Sequence, residues 1–346
     1  MQELFNPAIP PPLFIMYLTG GTMLISRVLY IAAELGLADL LAPGPRHVDD
    51  LARTTGTHAD SLFRVLRALE AMGIVAQEGE GIFRITPLAH GLRSNVPGSM
   101  RAWARYFGSP WHWESLGEVL GSVKNGKSIP ENEHGAGIFD FFSKNPEHGK
   151  LFDEAMTSIS NGSNPLLLAA YDFAGIRSVV DVGGGQGRLL AEILRAHPAL
   201  QGTLFEQPEV LERAREPGIL AEFERAGRCQ LVGGSFFDAV PAGQDLYLFK
   251  EILHNWRDDD VKRILEVTRK AAGGPGKKLL LMEMIVDPAP ERALAGKLVD
   301  LLMLSMLGGR ERTPKEFGEL FAATGFQLTR VIPTMPPYTL VEGVSV

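Results

Sequence analysis

Four glycines within five positions, Gly183-Gly184-Gly185-Gln186-Gly187, follow the β-branched run Ser178–Val182 and precede Arg188–Leu194, whose apolar spacing is helical. Strand, glycine turn and helix form the first unit of an open α/β sheet, and a turn bare of Cβ atoms lets a ligand approach the backbone closely. A dinucleotide fingerprint would need a further glycine where Arg188 stands, so that pattern is not met. Ligands of such sheets sit beyond the carboxyl ends of the strands. Four more stretches should end there: Phe205-Glu206-Gln207-Pro208, Gly233–Asp238, Leu248–Trp256 and Leu281-Met282-Glu283. Glu206 lies about 20 residues past the glycines, where a carboxylate grips ribose hydroxyls. His254, an imidazole with an ordinary pKa of about 6.5, is a group that can accept a hydroxyl proton at neutral pH. The plain alternatives are a tight turn with no ligand and a structural histidine.

Asp181 followed by Gly183-x-Gly185-x-Gly187 is the spacing used by enzymes that bind S-adenosylmethionine (SAM). The elements around it alternate. Strands are expected at Ser178–Val182, Gly202–Glu206, Gln230–Gly233, Asp245–Lys250 and Lys278–Val286, and helices at Gly187–Ala196, Glu209–Glu216, Asp259–Ala271 and Leu294–Met306. This predicts a parallel sheet covered by helices on both faces. Thr313–Phe317 opens a last helix with Pro314 in its first turn, and Phe326–Ile332 and Tyr338–Val344 close the sheet as a hairpin.

The first half reads differently. Residues 1–12 are a proline-rich arm, and Leu13–Leu41 is apolar on every face, which demands burial and points to an interface between two copies of the chain. Burial within its own subunit is the alternative. Arg27 interrupts the apolar run short of a membrane span. Val48–Ala52, a helix with the face Leu62, Val65, Leu66 and Leu69, and strands at Ile74–Gln77 and Ile82–Thr86 spell a winged helix. Arg64 and Arg67 suit DNA, but Asp60, Glu70, Glu78 and Glu80 in the same unit repel phosphate. Residues 99–170 are helical and rich in aromatics, with loops read at Lys124–Lys127 and Glu131–Gly135.

The totals narrow the classes. At 346 residues two domains are expected. A net charge of −7 speaks against a general nucleic-acid partner, and the leader lacks the basic start of a secretory signal. The lone Cys229 excludes a disulfide framework, suits a reducing cytoplasm and reads as a buried thiol. No metal-ligand spacing is visible, so no metal is expected, nor a membrane partner.

Val179–Gly187, Gly233–Pro241, Lys250–Asp260, Met282–Val286 and Gly308–Phe317 together give the chain its likeness. It resembles, over nearly its whole length, the SAM-dependent small-molecule O-methyltransferases typified by plant caffeic acid O-methyltransferase. The resemblance implies a Rossmann-like α/β methyltransferase sheet (171–346), an N-terminal winged-helix dimerisation domain (1–100) and a helical stretch contributing to the substrate pocket (101–170). It implies a homodimer, SAM as donor and S-adenosylhomocysteine as product. His254 takes the role of general base, with Glu283 and Glu311 beside it. Ser160, Asp181, Gly183, Gly185, Glu206, Ser235, Phe236, Lys250 and Trp256 fall at cofactor positions, and Phe152, Met156, Asn255, Met303 and Met306 at substrate positions. Glu206 replaces the usual Asp, Ser235 stands where plant members carry Asp, and Asn255 replaces the Asp that follows the base. The competing readings are a homologue that binds SAM without transferring methyl, as in hydroxylase-type reactions, and a winged-helix DNA-binding regulator. An ion pair with Arg310 or Arg312 is the alternative for Glu283 and Glu311.

Overall fold

The computed structural model describes residues 10–134, 137–216, 218–286, 294–335 and 337–346. The chain divides into two units. One takes in the residues up to Gly117 together with Phe142–Asn161, the other Glu118–Phe141 with Gly162–Val346. The stretch 101–170 is therefore shared between them.

In the first unit the apolar leader is broken into a helix Pro11–Met16, a π-helical turn Tyr17–Gly21, a helix Thr22–Glu34 and a short helix Leu37–Leu41. Gly36, at φ 64°, makes the left-handed break. Ala32, Ala33, Leu37, Ala38 and Leu41 pack inward with Leu51, Leu62, Leu66, Leu69 and Phe83. Burial of the whole leader within its own subunit does not occur: Ile15 is 57% exposed and Leu24 68%. Of the proline-rich arm, residues 1–9 lie outside the described residues. By length and composition Pro11–Glu34 is long and apolar enough to cross a membrane, so Arg27 does not cut it short as expected. Arg27 is instead held within the unit, donating to Gly108 O and lying over the rings of Tyr30 (4.6 Å) and Trp113 (5.1 Å).

The winged helix is present. Arg46–His47 (β1) pairs with Ile82–Ile85 (β3), which pairs with Val75–Gly79 (β2), all antiparallel, behind the helices Val48–Thr55 and Ala59–Ala71. Its basic residues are already engaged: Arg64 with Asp60 at 2.9 Å and Arg84 with Glu78 at 2.6 Å, while Arg67 lies over the Phe63 ring. The helices Arg101–Gly108 and Pro110–Gly117 bring Tyr106, Phe107 and His112 into ring contact, His112 at 4.8 and 4.6 Å from the other two. Burial pushes His112 down to about 4 and neither ring nitrogen has a hydrogen-bond partner, so it is a neutral member of an aromatic cluster.

The second unit opens with short helices at Val119–Asn125, Ile129–His134 and Ile138–Lys144 (the last running into the first unit). Of the expected loops, Gly126-Lys127 is one, following a helix that ends at Asn125, whereas Glu131–His134 is helical and Gly135 lies outside the described residues. Ser128 and Glu131 explain the second: Ser128 N and Oγ donate to Glu131 Oε2 at 2.7 and 2.9 Å and Glu131 N donates to Ser128 Oγ, a capping box that nucleates a helix. The long helix Pro146–Ala170 contributes to both units.

Its sheet has seven strands: Ser178–Val182 (β4), Gln201–Glu206 (β5), Cys229–Gly233 (β6), Leu246–Lys250 (β7), Lys278–Met284 (β8), Phe326–Pro333 (β9) and Tyr338–Ser345 (β10). Their order is β6-β5-β4-β7-β8-β10-β9, all running the same way except β10, which is antiparallel to both β8 and β9. The central parallel strands β4, β7 and β8 are almost wholly buried, as a sheet covered on both faces requires, while the edge strand β6 is not. Helices Arg188–Ala196, Pro208–Arg215, Asp258–Ala272 and Pro314–Ala323 follow the expected positions, and Ala221–Arg225 is an extra turn of helix. Thr313 and Glu316 cap the last one reciprocally, with Pro314 in its first turn. Cys229 is buried at the start of β6, its thiol pushed up to about 12 by burial. The hairpin β9–β10 enters with β10 innermost, so that Thr339 faces Glu283 across the ladder.

Candidate active site

The glycine turn at the end of β4 needs each glycine for its own reason. Gly183, Gly185 and Gly187 stand at φ 72°, 57° and 75°, where a side chain is strained. Gly184 is required by space, since a Cβ there would fall 2.4 Å from Asp181 Oδ2. Nothing lies within 4 Å of where a Gly185 Cβ would be, so this face of the turn is open. Asp181 lies beneath the turn, 1% exposed; burial lifts its carboxyl to about 7, opposed by Lys250 and reinforced by Glu206. Glu206, at the tip of β5, receives the amide hydrogens of Gly185 (3.2 Å) and Gln207 (2.7 Å), which fixes its carboxylate beside the open turn. Ser235 Oγ accepts from Phe237 N at 3.2 Å. Phe236 lies over Gly183, and Trp256 stands edge-on to Phe236 (5.9 Å) and Phe237 (4.7 Å). Backbone without Cβ at Gly185, an oriented carboxylate and aromatic rings are together the chemistry that suits a ribose and a flat base. Lys250 is 2.8 Å from Glu251 Oε2, and Tyr338 from β10 donates to Glu251 Oε1 at 2.9 Å. Glu251 takes this place with a left-handed φ of 53°, rare for a side-chain-bearing residue.

His254 occupies a single turn of 3-10 helix, Leu253–Asn255, just past β7. Its Nδ1 is 2.6 Å from Glu311 Oε1 and 3.7 Å from Glu283 Oε2. A carboxylate can only accept, so Nδ1 donates and the neutral ring carries its lone pair on Nε2. Nε2 has no protein partner among the described residues, and 9% of the side-chain surface stays open. Burial alone would push the imidazole down. The charges of Glu283 and Glu311, the Glu311 hydrogen bond and the charge of Glu251 overcome it and hold the ring at about 9. Glu283 is fully buried, and burial raises its carboxyl despite the neighbouring imidazole; its Oε1 accepts from Leu253 N at 3.0 Å.

The three donors lie within 4.8 Å of one another, close enough in principle for a cation, although their spacing along the chain gave no sign of it. Arg310 pairs with Glu316 (2.7 Å) and Arg312 with Asp258 (2.8 Å), so the two glutamates are not held by arginine. Two further contacts escape the sequence. Asp300 accepts from Glu311 N at 2.8 Å, and Arg310 N donates to His254 O at 2.9 Å, drawing the Gly309–Arg312 segment onto the histidine turn. Gly309 is what permits this: a Cβ would sit 2.0 Å from His254 O. The Gly308-Gly309 pair was the only hint of it.

Of the expected substrate positions, Met303 (6% exposed) and Met306 (2%) face inward on the helix Leu294–Met306. Asn255 donates to Glu251 O at 3.2 Å and borders a hollow of about 160 Å³ with Trp256 and Leu307. Phe152, Met156 and Ser160 lie on Pro146–Ala170 within the first unit, where Phe152 meets Phe142 (4.9 Å) and Tyr106 (5.6 Å).

Comparison with known proteins gives the same picture. The O-methyltransferase domain family matches residues 113–327 and the O-methyltransferase dimerisation domain family residues 17–94. The phenazine O-methyltransferase PhzM of Lysobacter antibioticus is 41% identical over 92% of each chain. The 8-amino-8-demethylriboflavin N,N-dimethyltransferase of Streptomyces davaonensis is 32% identical over 94% of each. The crystal structure of the O-methyltransferase NcsB1 from neocarzinostatin biosynthesis, in complex with SAM and 2-hydroxy-5-methyl naphthoic acid, superimposes with a TM-score of 0.77 at 32% identity, covering 93% of this chain and 96% of that one. With the O-methyltransferase domain matched over residues 113–327 and the dimerisation domain over 17–94, the chain belongs to the O-methyltransferase family.

Proposed function

We propose that the protein binds SAM at the glycine turn and transfers its methyl to a hydroxyl of an aromatic or polyketide-like small molecule, as a cytoplasmic homodimer. The observation that carries this reading is the histidine whose Nδ1 is fixed on Glu311 while Nε2 stays open. Bound SAM brings a methyl carbon already activated by its sulfonium. The protein's share is positioning and proton transfer. Glu206 is placed to bind ribose hydroxyls, Ser235 and Phe236 to border the adenine and Trp256 to cover it. His254 Nε2 takes the hydroxyl proton as the oxygen's electron pair forms the bond to the methyl carbon, while the carbon–sulfur bond breaks with its pair going to sulfur, so that neutral S-adenosylhomocysteine leaves. Glu283 and Glu311 stabilise the imidazolium that results.

The riboflavin relative methylates nitrogen, so the atom that accepts the methyl must be argued from this site. An amine attacks through its free lone pair and needs no base beforehand, whereas a hydroxyl gains most from losing its proton. A histidine raised to about 9 suits the hydroxyl. The same arrangement speaks against a non-methylating homologue, in which a backed base would have no task, and the engaged arginines of the winged helix speak against a DNA regulator. The decisive experiment incubates the protein with methyl-labelled SAM and paired hydroxy- and amino-substituted phenazines and naphthoates. Label on oxygen is expected; label confined to nitrogen, or no transfer to any, would overturn the reading.

The dimer is supported by the exposed leader, which coincides with the matched dimerisation region. Leu24→Asp, on its open face, is expected to shift the light-scattering mass from two chains to one; a variant that stays dimeric would place the interface elsewhere.

A further inference from the structure

We infer that Arg312 is a positioning residue for the base: with Asp258 it locks the backbone turn that carries His254 to the segment that carries Glu311. The inference rests on the reading of His254 as the proton acceptor.

Arg312 is 1% exposed and is the largest fully buried side chain of the described residues. A guanidinium in that setting must have its donors satisfied. Nη1 donates to Leu253 O (3.0 Å) and Arg310 O (3.3 Å), and Nη2 to Trp256 O (2.8 Å). Nε and Nη2 both donate to Asp258 Oδ1, at 2.9 and 2.8 Å. Leu253 and Trp256 bracket His254, and Arg310 and Arg312 bracket Glu311. The planar fork therefore spans both sides of the His254–Glu311 hydrogen bond. With Arg310 N on His254 O, the two backbones are held at a fixed separation, and the 2.6 Å side-chain contact follows from it.

Asp258 is the anchor. It lies in the first turn of Asp258–Ala272, 47% exposed, where an acid also suits the helix terminus. No lysine can reproduce this, because one ammonium cannot face three carbonyls and a carboxylate spread along a plane. The charged groups acting on the imidazole are Glu251, Glu283 and Glu311, with Lys250 held on Glu251; Asp258 is not among them. A change in His254 caused by altering Asp258 would thus travel through the arginines it binds, Arg312 at 2.8 Å foremost and Arg310 at 3.7 Å.

The test compares Arg312→Lys, Asp258→Asn and, as a control of equal charge change, Asp259→Asn, whose side chain is fully exposed and does not touch Arg312. Histidine-labelled NMR of the full-length protein without substrate follows the His254 titration and its Nδ1 proton. In Arg312→Lys and Asp258→Asn the titration is expected to fall by about one unit, a tenfold loss of proton affinity, with the Nδ1 proton moving upfield. Asp259→Asn should match the parent. Where methyl transfer is measured, kcat should fall about tenfold with the KM for SAM within about twofold. If Arg312→Lys does not fold, Asp258→Asn decides, since its half-open carboxylate is removed without burying anything new. A folded Asp258→Asn protein with a parental His254 titration would overturn the inference. Because the titration is read without turnover, it stands or falls separately from the methyl-transfer reading.

Discussion

Replacing His254 with alanine is expected to slow methyl transfer by about 10²–10⁴-fold while SAM affinity stays within a few-fold. The asymmetry follows from the geometry. The imidazole meets Glu311 and Glu283 on one edge and, among the described residues, no partner on Nε2, so its removal takes the proton acceptor and leaves Gly183–Gly187, Glu206 and Phe236 undisturbed. Isothermal titration with SAM and single-turnover methyl transfer would separate the two effects, and an equal loss in both would move His254 into the cofactor site. The parent enzyme should also have a pH profile set by this ring. Its pKa is raised from about 6.5 to about 9, so below neutrality the ring is almost wholly protonated and cannot accept. kcat/KM for SAM should rise through the neutral range and level off near 9, and this limb should vanish in His254→Ala. The same shift has a stability sign. The extra proton is bound more tightly in the folded chain, so its stabilisation is complete below about 6.5 and is lost as the pH rises towards about 9.

Gly309→Ala is expected to cost nearly as much activity from a position with no functional group. A Cβ there would lie 2.0 Å from His254 O, 2.5 Å from Asn255 C and 2.7 Å from Asn255 O, all of it backbone that cannot swing aside. The turn must shift, and a displacement on the order of 1 Å of a catalytic group costs about 10²-fold. The expected signature is a kcat loss of about that size, a lower melting temperature and SAM binding close to the parent. Gly274→Ala offers the contrast, since nothing lies within 4 Å of its would-be Cβ and it stands remote from the turn in sequence. Parental kcat in Gly309→Ala would mean the contact is relaxed in solution.

What the sequence made legible was whatever has a local cause. β4 matches its expected bounds because a β-branched run ends at glycines that cannot continue it. The helix at Pro314 announces itself through Thr313, Pro314 and Glu316. Ser128 and Glu131 carry the same signal, masked by the Asn- and Gly-bearing composition of Glu131–Gly135, which reads as loop. The residues of the site were legible by motif; their contacts were not. His254 and Glu311 are separated by 57 positions, and nothing in either neighbourhood states that they approach to 2.6 Å. Glu251, which engages Lys250, is steadied by Tyr338 on a strand 87 residues further on. A leader apolar on every face announces that it needs cover but not which side stays open, and that is decided by the packing of Ala32, Ala33 and Leu37 against the winged helix.

The innermost place of β10 has a temporal consequence. As the chain emerges from the ribosome, β8 is made well before its neighbour Tyr338–Ser345 and waits with one row of backbone donors and acceptors bare. Tyr338, which steadies Glu251, arrives with the same late strand. Nascent chains should therefore be most prone to sticking to one another in the interval before that strand docks, and a chaperone that shields the exposed edge would raise the yield of folded enzyme without altering its final stability.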